Sequence, residues 1–176
     1  MKALRRASQS VKDLRANEDY RNFRQANHCS LSFFGIYTAV YSAQNLQGTL
    51  FDHAGYGPLG LISNSIAYVG QGIGSIFCVY YLQRIGCIKS MGWGSVLSLP
   101  SIIALILPTL AYYYQDSTNI LFSSYLVYIV TIAASFLNGF GEGISQPASG
   151  NYISDCATEK SKGFFFAYFW AFYMGS

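Results

Sequence analysis

The chain has 176 residues, with 11 lysines and arginines against eight aspartates and glutamates, a net charge of +3, and charged residues making up only 11% of the whole. Soluble domains carry about 25% charged residues, and here the deficit is concentrated, because the intervals 25–51, 53–83, 90–115 and 117–141 hold no Asp, Glu, Lys or Arg. A bilayer-spanning helix needs about 20 mostly apolar residues, so each interval is long enough, and a water-soluble enzyme domain, a nucleic-acid binder and a disordered tail are excluded in favour of a protein of the lipid bilayer.

Residues 1–25 read as a basic lead-in. Met1 to Lys12 contains no acid, and Leu4, Ala7, Val11 and Leu14 share one helical face, a pattern similar to a mitochondrial presequence. Asp13, Glu18 and Asp19 count against that reading, and a cytoplasmic segment lying on anionic lipid accounts for the same residues better. A cleaved secretory signal does not fit a basic region this long followed by several further spans.

The transmembrane domain then runs over 26–176, with spans expected at Cys29–Leu50, Gly57–Leu82, Ser90–Tyr113 and Ile120–Pro147. Continuous apolar runs favour helices over the alternating pattern of a β-barrel. In the third span Pro100 and Pro108 predict a bend, tolerated where neighbouring groups satisfy the freed carbonyl, and Tyr112, Tyr113 and Tyr114 suit an interface. The run 164–176 is too short to cross a bilayer and too apolar for water, so the expectation is an all-α polytopic membrane protein with four full spans and an incomplete fifth. On that expectation further C-terminal helices are missing, and the sequence is a fragment or a truncated gene model.

All 11 basic residues fall in the lead-in, between the second and third spans (Arg84, Lys89) or before the fifth run (Lys160, Lys162), while the connections around Asp52 and Asp116 hold none. Positive charge is retained on the cytoplasmic side, which predicts a cytoplasmic N-terminus. The four cysteines form no CxxC or Cys/His cluster. Cys29 and Cys78 fall within spans and Cys87 and Cys156 in expected cytoplasmic loops, so neither a metal nor a cofactor is expected. Without a nucleophile–base pair, neither is an enzyme.

Polar residues recur at helical spacing inside the spans. Thr131, Ser135, Asn138, Glu142, Gln146 and Ser149 share a face of the fourth; Asn64, Tyr68, Gln71 and Ser75 a face of the second; Tyr37, Tyr41, Gln44 and Asn45 close the first. A carboxylate near a span centre costs about 2.5–3.5 kcal/mol on insertion scales. Glu142 is therefore either a cavity-lining proton or cation site, about 12 Å of helix rise from Gly150 and within reach of cytoplasmic water, or a packing residue bonded to a neighbouring amide. Gln44, Asn45, Asn64, Gln71, Asn138 and Gln146 are the further candidate cavity-lining residues, with interhelical packing as their alternative role. Gly70-Gln71-Gly72-Ile73-Gly74 has no following basic residue or strand to make a phosphate loop. The pairs Gly70/Gly74 and Gly139/Gly143 instead have the spacing that lets membrane helices approach closely.

The stretch Thr38-Ala39-Val40-Tyr41-Ser42-Ala43-Gln44-Asn45-Leu46-Gln47-Gly48-Thr49-Leu50 resembles the first-helix signature of the uncoordinated-93-like family. Gly57-Pro58-Leu59-Gly60, Gly139-Phe140-Gly141, Gly150-Asn151-Tyr152-Ile153 and Gly163-Phe164-Phe165-Phe166 with Trp170 are similar to that family as well, over about Ala26 to Ser176. The resemblance implies the N-terminal part of a major-facilitator-type bundle, 12 helices in two halves. It also implies a protein that regulates or traffics other membrane proteins, with a channel or receptor as partner. Two departures stand out. Gln83 replaces the acid of the facilitator loop motif, which Arg84, Gly86 and Lys89 only echo, and Ser145 and Gln146 occupy the neighbourhood where members often place a Trp. A facilitator that carries a small solute or ion, with Glu142 as coupling acid, is the alternative function, and a truncated, inactive product a third.

Overall fold

The computed structural model describes residues 2–113 and 123–176, with side chains from residue 20 onward. The side chains of the lead-in up to Asp19, and Tyr114, Asp116 and the expected span start at Ile120, lie outside the described residues.

Among the described residues there are six helices: α1 (Lys2–His53), α2 (Leu59–Ile85), α3 (Cys87–Ala104), α4 (Ile106–Tyr113), α5 (Ser124–Cys156) and α6 (Lys162–Met174). Three stretches are long and apolar enough to cross a membrane: Leu59–Ile85, Cys87–Tyr113 and Ser124–Cys156. Among the described residues the fold is thus all-helical, and its apolar helices are those of an integral membrane protein. The expected first span is not among the three, and Gln44, Asn45 and Gln47 are the polar residues that dilute it.

Several boundaries differ from those expected. The helix begun in the lead-in continues as α1 through residue 25 without interruption, because backbone hydrogen bonding does not depend on side-chain charge. Pro147 lies inside α5, which ends at Cys156 rather than at Pro147; Cys156 is therefore a buried helix residue and not part of a loop. Cys87, also expected in a loop, opens α3. In the third span, where a bend was expected, the helix is interrupted at the single residue Leu105, between α3 and α4. Pro108 has no N–H to give the Ala104 carbonyl and crowds it, yet Leu105 keeps α-helical dihedrals and bonds Ser101 O at 3.3 Å, so the chain carries on as a helix.

The chain forms two compact units, residues 1–35 with 152–176 and residues 36–151. In the terminal unit, α6 packs along the first part of α1 through aromatic rings. Phe23 meets Tyr168 at 5.4 Å, Phe33 meets Phe169 at 5.5 Å and Phe34 meets Phe172 at 6.2 Å between ring centres. The Tyr168 hydroxyl donates to Asn27 Oδ1 at 2.6 Å. Residue numbers rise together on both partners, so the two segments run parallel. The turn before α6 is closed by Ser161, whose Oγ accepts from Thr158 N–H at 2.9 Å, and by the exposed Lys162–Glu159 pair at 2.8 Å. That lysine, through its hydrogen bond and its charge, holds the Glu159 carboxyl below its ordinary pKa.

The central unit is organised by α5. Of its apolar window 39% is buried, against 22% and 28% for the other two, so α5 is the helix the others surround. Gly139, Gly143, Gly70 and Gly74 form the seam with α2: a Cβ on Gly139 would strike the Ala67 backbone, on Gly143 the Gln71 carbonyl, and on Gly74 the Phe140 carbonyl. On the α3 side, Gly94 and Gly141 face each other's carbonyls in the same way. Packing this close stands in for the hydrophobic effect, which lipid does not supply between helices. At one end of this unit the turn 54–58 reverses the chain with Gly55 and Gly57 at positive φ. Phe51, Tyr56, Leu59, Ala111 and Val127 fill the space beneath it, and Tyr128 donates to the Tyr56 carbonyl at 2.9 Å. At the other end Gly86, with φ of 81°, is the one residue between α2 and α3.

The seam makes a stability prediction. Gly139→Ala should cost about 1–3 kcal/mol through overpacking, read from unfolding in detergent micelles with rising dodecyl sulfate. Gly72→Ala, where nothing lies within 4 Å of the added carbon, should stay within about 0.5 kcal/mol.

Candidate functional site

Helical spacing puts the polar residues of α5 on the side turned toward α1, α2 and α3, and the glycine seam brings those neighbours within hydrogen-bond reach. Residues 141–145 are all buried, as is Asn138 one turn earlier. Asn138 Nδ2 donates to Glu142 Oε1 at 3.1 Å, along the same helix. Below them Ser145 Oγ lies 2.8 Å from the Tyr37 hydroxyl of α1 and donates to the Glu142 carbonyl at 3.4 Å. Gln71 of α2 donates to Gln146 Oε1 at 3.2 Å. Toward the turn 54–58, Gln47 of α1 donates to Ser63 Oγ of α2 at 2.6 Å, where Gly60 lies against the Gly48 backbone.

Between these bonds is a cavity of about 10 Å³, lined in part by Gln44, Gln47, Asn64, Ser101, Ser135 and Asn138. About 10–15 Å³ holds a single water, so the space suits one water molecule and nothing larger. Asn138 Oδ1, on the wall of this cavity, is a buried acceptor without a protein donor; Thr131 Oγ1, one further buried oxygen of α5, likewise has none.

The expected candidates therefore divide. Gln44, Asn64 and Asn138 meet at the small cavity, Glu142 is tied to it through Asn138, and Gln71 and Gln146 pair with each other. Asn45 is exposed and joins none of them, and Tyr68 and Ser75 are also exposed. Arg84 and Lys89 are exposed at the opposite end of the unit, flanking Gly86, with the Arg84 guanidinium 5.4 Å from the centre of the Tyr80 ring. Gln47, Ser63 and Ser145 are bonded core residues that the stripes left out, and Ser30, Ser90 and Ser98 are buried as well. Gln44 and Gln47 are three apart on α1, which turns both inward and Asn45 away. Continuing the helical spacing from Tyr37 finds them.

Among the described residues no three His, Cys, Asp or Glu side chains are grouped to hold a metal ion. No family model, curated protein or solved structure matches this chain. Chemically the arrangement is a bonded polar core: the Tyr37–Ser145, Gln71–Gln146 and Gln47–Ser63 bonds fix one helix against another, and the carboxylate is held by a neutral donor on its own helix.

A cycle of substitutions separates packing from chemistry. Asn138→Leu removes the donor from a buried carboxylate and should cost about 1–3 kcal/mol. Glu142→Gln keeps an acceptor of the same shape while removing a carboxylate from the span, so it should be neutral or stabilising. In a Glu142→Leu background Asn138→Leu should cost measurably less, and equal costs in both backgrounds would show the two side chains to be uncoupled.

Proposed function

We propose that this chain is an uncoordinated-93-like multi-pass membrane protein, built on a major-facilitator-type bundle with its N-terminus cytoplasmic and α1 as a fourth span. In this reading it regulates or traffics other membrane proteins, such as ion channels or receptors, by binding them through its helices. The observation that carries this over solute transport is the closed polar core. The side chains pair as Gln71–Gln146, Asn138–Glu142 and Tyr37–Ser145, and the cavity beside Asn138, about 10 Å³, holds no more than a water.

The exposed Asn45 supports the same reading. Its amide lies on the outer side of α1, within the expected span, beside the exposed Leu46. An amide at membrane depth is stabilised by bonding to another helix, at about 0.6 kcal/mol on average. Asn45 and Leu46 thus belong to a surface for helix association, on the very stretch that carries the family resemblance.

Photocrosslinking in native membranes tests this. A photoreactive amino acid at Leu46 should trap one discrete membrane protein, and Asn45→Leu should reduce the yield several-fold with expression unchanged. The transport reading makes the opposite forecast: proteoliposomes of the purified chain would show solute or ion flux that Glu142→Gln abolishes. Such flux, together with a crosslink only to lipid, overturns the proposal.

A further inference from the structure

At the Gly86 end of the central unit a groove of about 540 Å³ opens on the bundle surface between α2, α3 and α5. Its walls are aromatic: Tyr80 and Tyr81 from α2, Trp93 from α3 and Phe140 from α5. Tyr81 packs edge-on to Phe140 with ring centres 6.4 Å apart, which joins the α2 and α5 walls. One cation stands among these rings. Arg84, one residue before the end of α2, lines the groove and lies over the face of Tyr80. Among the described residues no carboxylate forms an ion pair with it. Lys89, exposed in the first turn of α3, adds a second positive charge at this end.

Tyrosine, tryptophan and arginine at the end of membrane helices sit at the depth of lipid headgroups. An apolar groove at that depth is filled by hydrocarbon, and an unpaired guanidinium beside it selects what the hydrocarbon is attached to. Arginine presents a planar fork of donors that matches phosphate oxygens. The volume lies within the range of about 300–1,000 Å³ typical of small-molecule sites. We propose that this groove binds an anionic phospholipid, with its phosphate on Arg84 and one acyl chain along Trp93 and Phe140. The site is separate from the Asn45 surface, and the proposal does not depend on the partner-binding function. A second copy of the chain or a foreign helix would have to bring an acid to Arg84, whereas an anionic lipid supplies both the charge and the chain.

The sequence contains two tryptophans, Trp93 and Trp170, so Trp170→Phe leaves Trp93 as the reporter. Reconstituted into phosphatidylcholine vesicles containing brominated phosphatidylglycerol, Trp93 should be quenched as though that lipid were preferred about fivefold over brominated phosphatidylcholine. Arg84→Gln should bring the ratio to about one, and Arg84→Lys should retain part of it. Native mass spectrometry of the unsubstituted chain, independent of the tryptophan variant, should show phosphatidylglycerol retained where phosphatidylcholine is lost, and Arg84→Gln should abolish the difference. Equal quenching by both lipids, with equal retention, would mean that bulk lipid merely wets the groove. Weak quenching by both, with self-crosslinking from the Trp93 position, would assign the groove to a second copy. Either result overturns the proposal.

Discussion

The central unit rests on how closely the backbones of α2 and α5 approach. Between two helices in lipid there is no water to expel, so attraction must come from dispersion at short range and from hydrogen bonds. Glycines on both helices provide the short range: at Gly139 and Gly143 the α2 backbone occupies the place a side chain would take. The same approach sets the polar geometry. Gln71 reaches Gln146 because Gly143 lies against the Gln71 backbone, and Cys78 reaches the Ile144 carbonyl at 3.4 Å from the same face. Widening the seam by the width of a methyl group would lengthen both bonds at once, so packing and polar bonding here are one constraint.

Glu142 shows what that constraint tolerates. A buried carboxylate is expensive unless it is bonded, and its bond comes from Asn138, one turn away on the same helix. An intrahelical partner needs no second helix to be in register. The donor is neutral, so no buried cation has to be desolvated alongside it. The cost passes to Asn138, whose own oxygen faces the small cavity without a protein donor. Thus the polar stripe of α5 is bonded along the helix at Glu142 and across to other helices at Ser145 and Gln146.

Much of this was legible in the sequence because it follows from spacing. Three of the four gaps between charges mark helices apolar enough to cross a membrane, glycines four apart mark close approach, and Thr131 to Ser149 at intervals of three and four mark the inner face of α5. What was not legible depends on partners. Spacing from Tyr37 turns Gln47 inward and Asn45 outward, but only the position of α2 supplies Ser63 as the partner of Gln47. Pro147 reads as a stop by local propensity, yet α5 runs on through it to Cys156, because freed carbonyls in membrane helices are satisfied by neighbours. The lead-in and first span read as two segments from charge, but backbone hydrogen bonding ignores that change of side-chain character, and α1 is continuous.

The interior and the surface therefore carry different kinds of information. Inside, the polar groups are mostly spent on one another, and the cavity at Gln44, Asn64 and Asn138 is the size of one water. Outside, two features remain that internal packing does not explain. Asn45 presents an amide beside Leu46, and Arg84 stands over Tyr80 at the mouth of an aromatic groove. Neither group has a bonded or ion-paired partner among the described residues. If function lay in the core, substitutions there would alter chemistry; since the core is a set of closed bonds, they should alter stability instead. On the proposed reading, recognition falls to the outward groups, one suited to another helix and the other to a lipid phosphate.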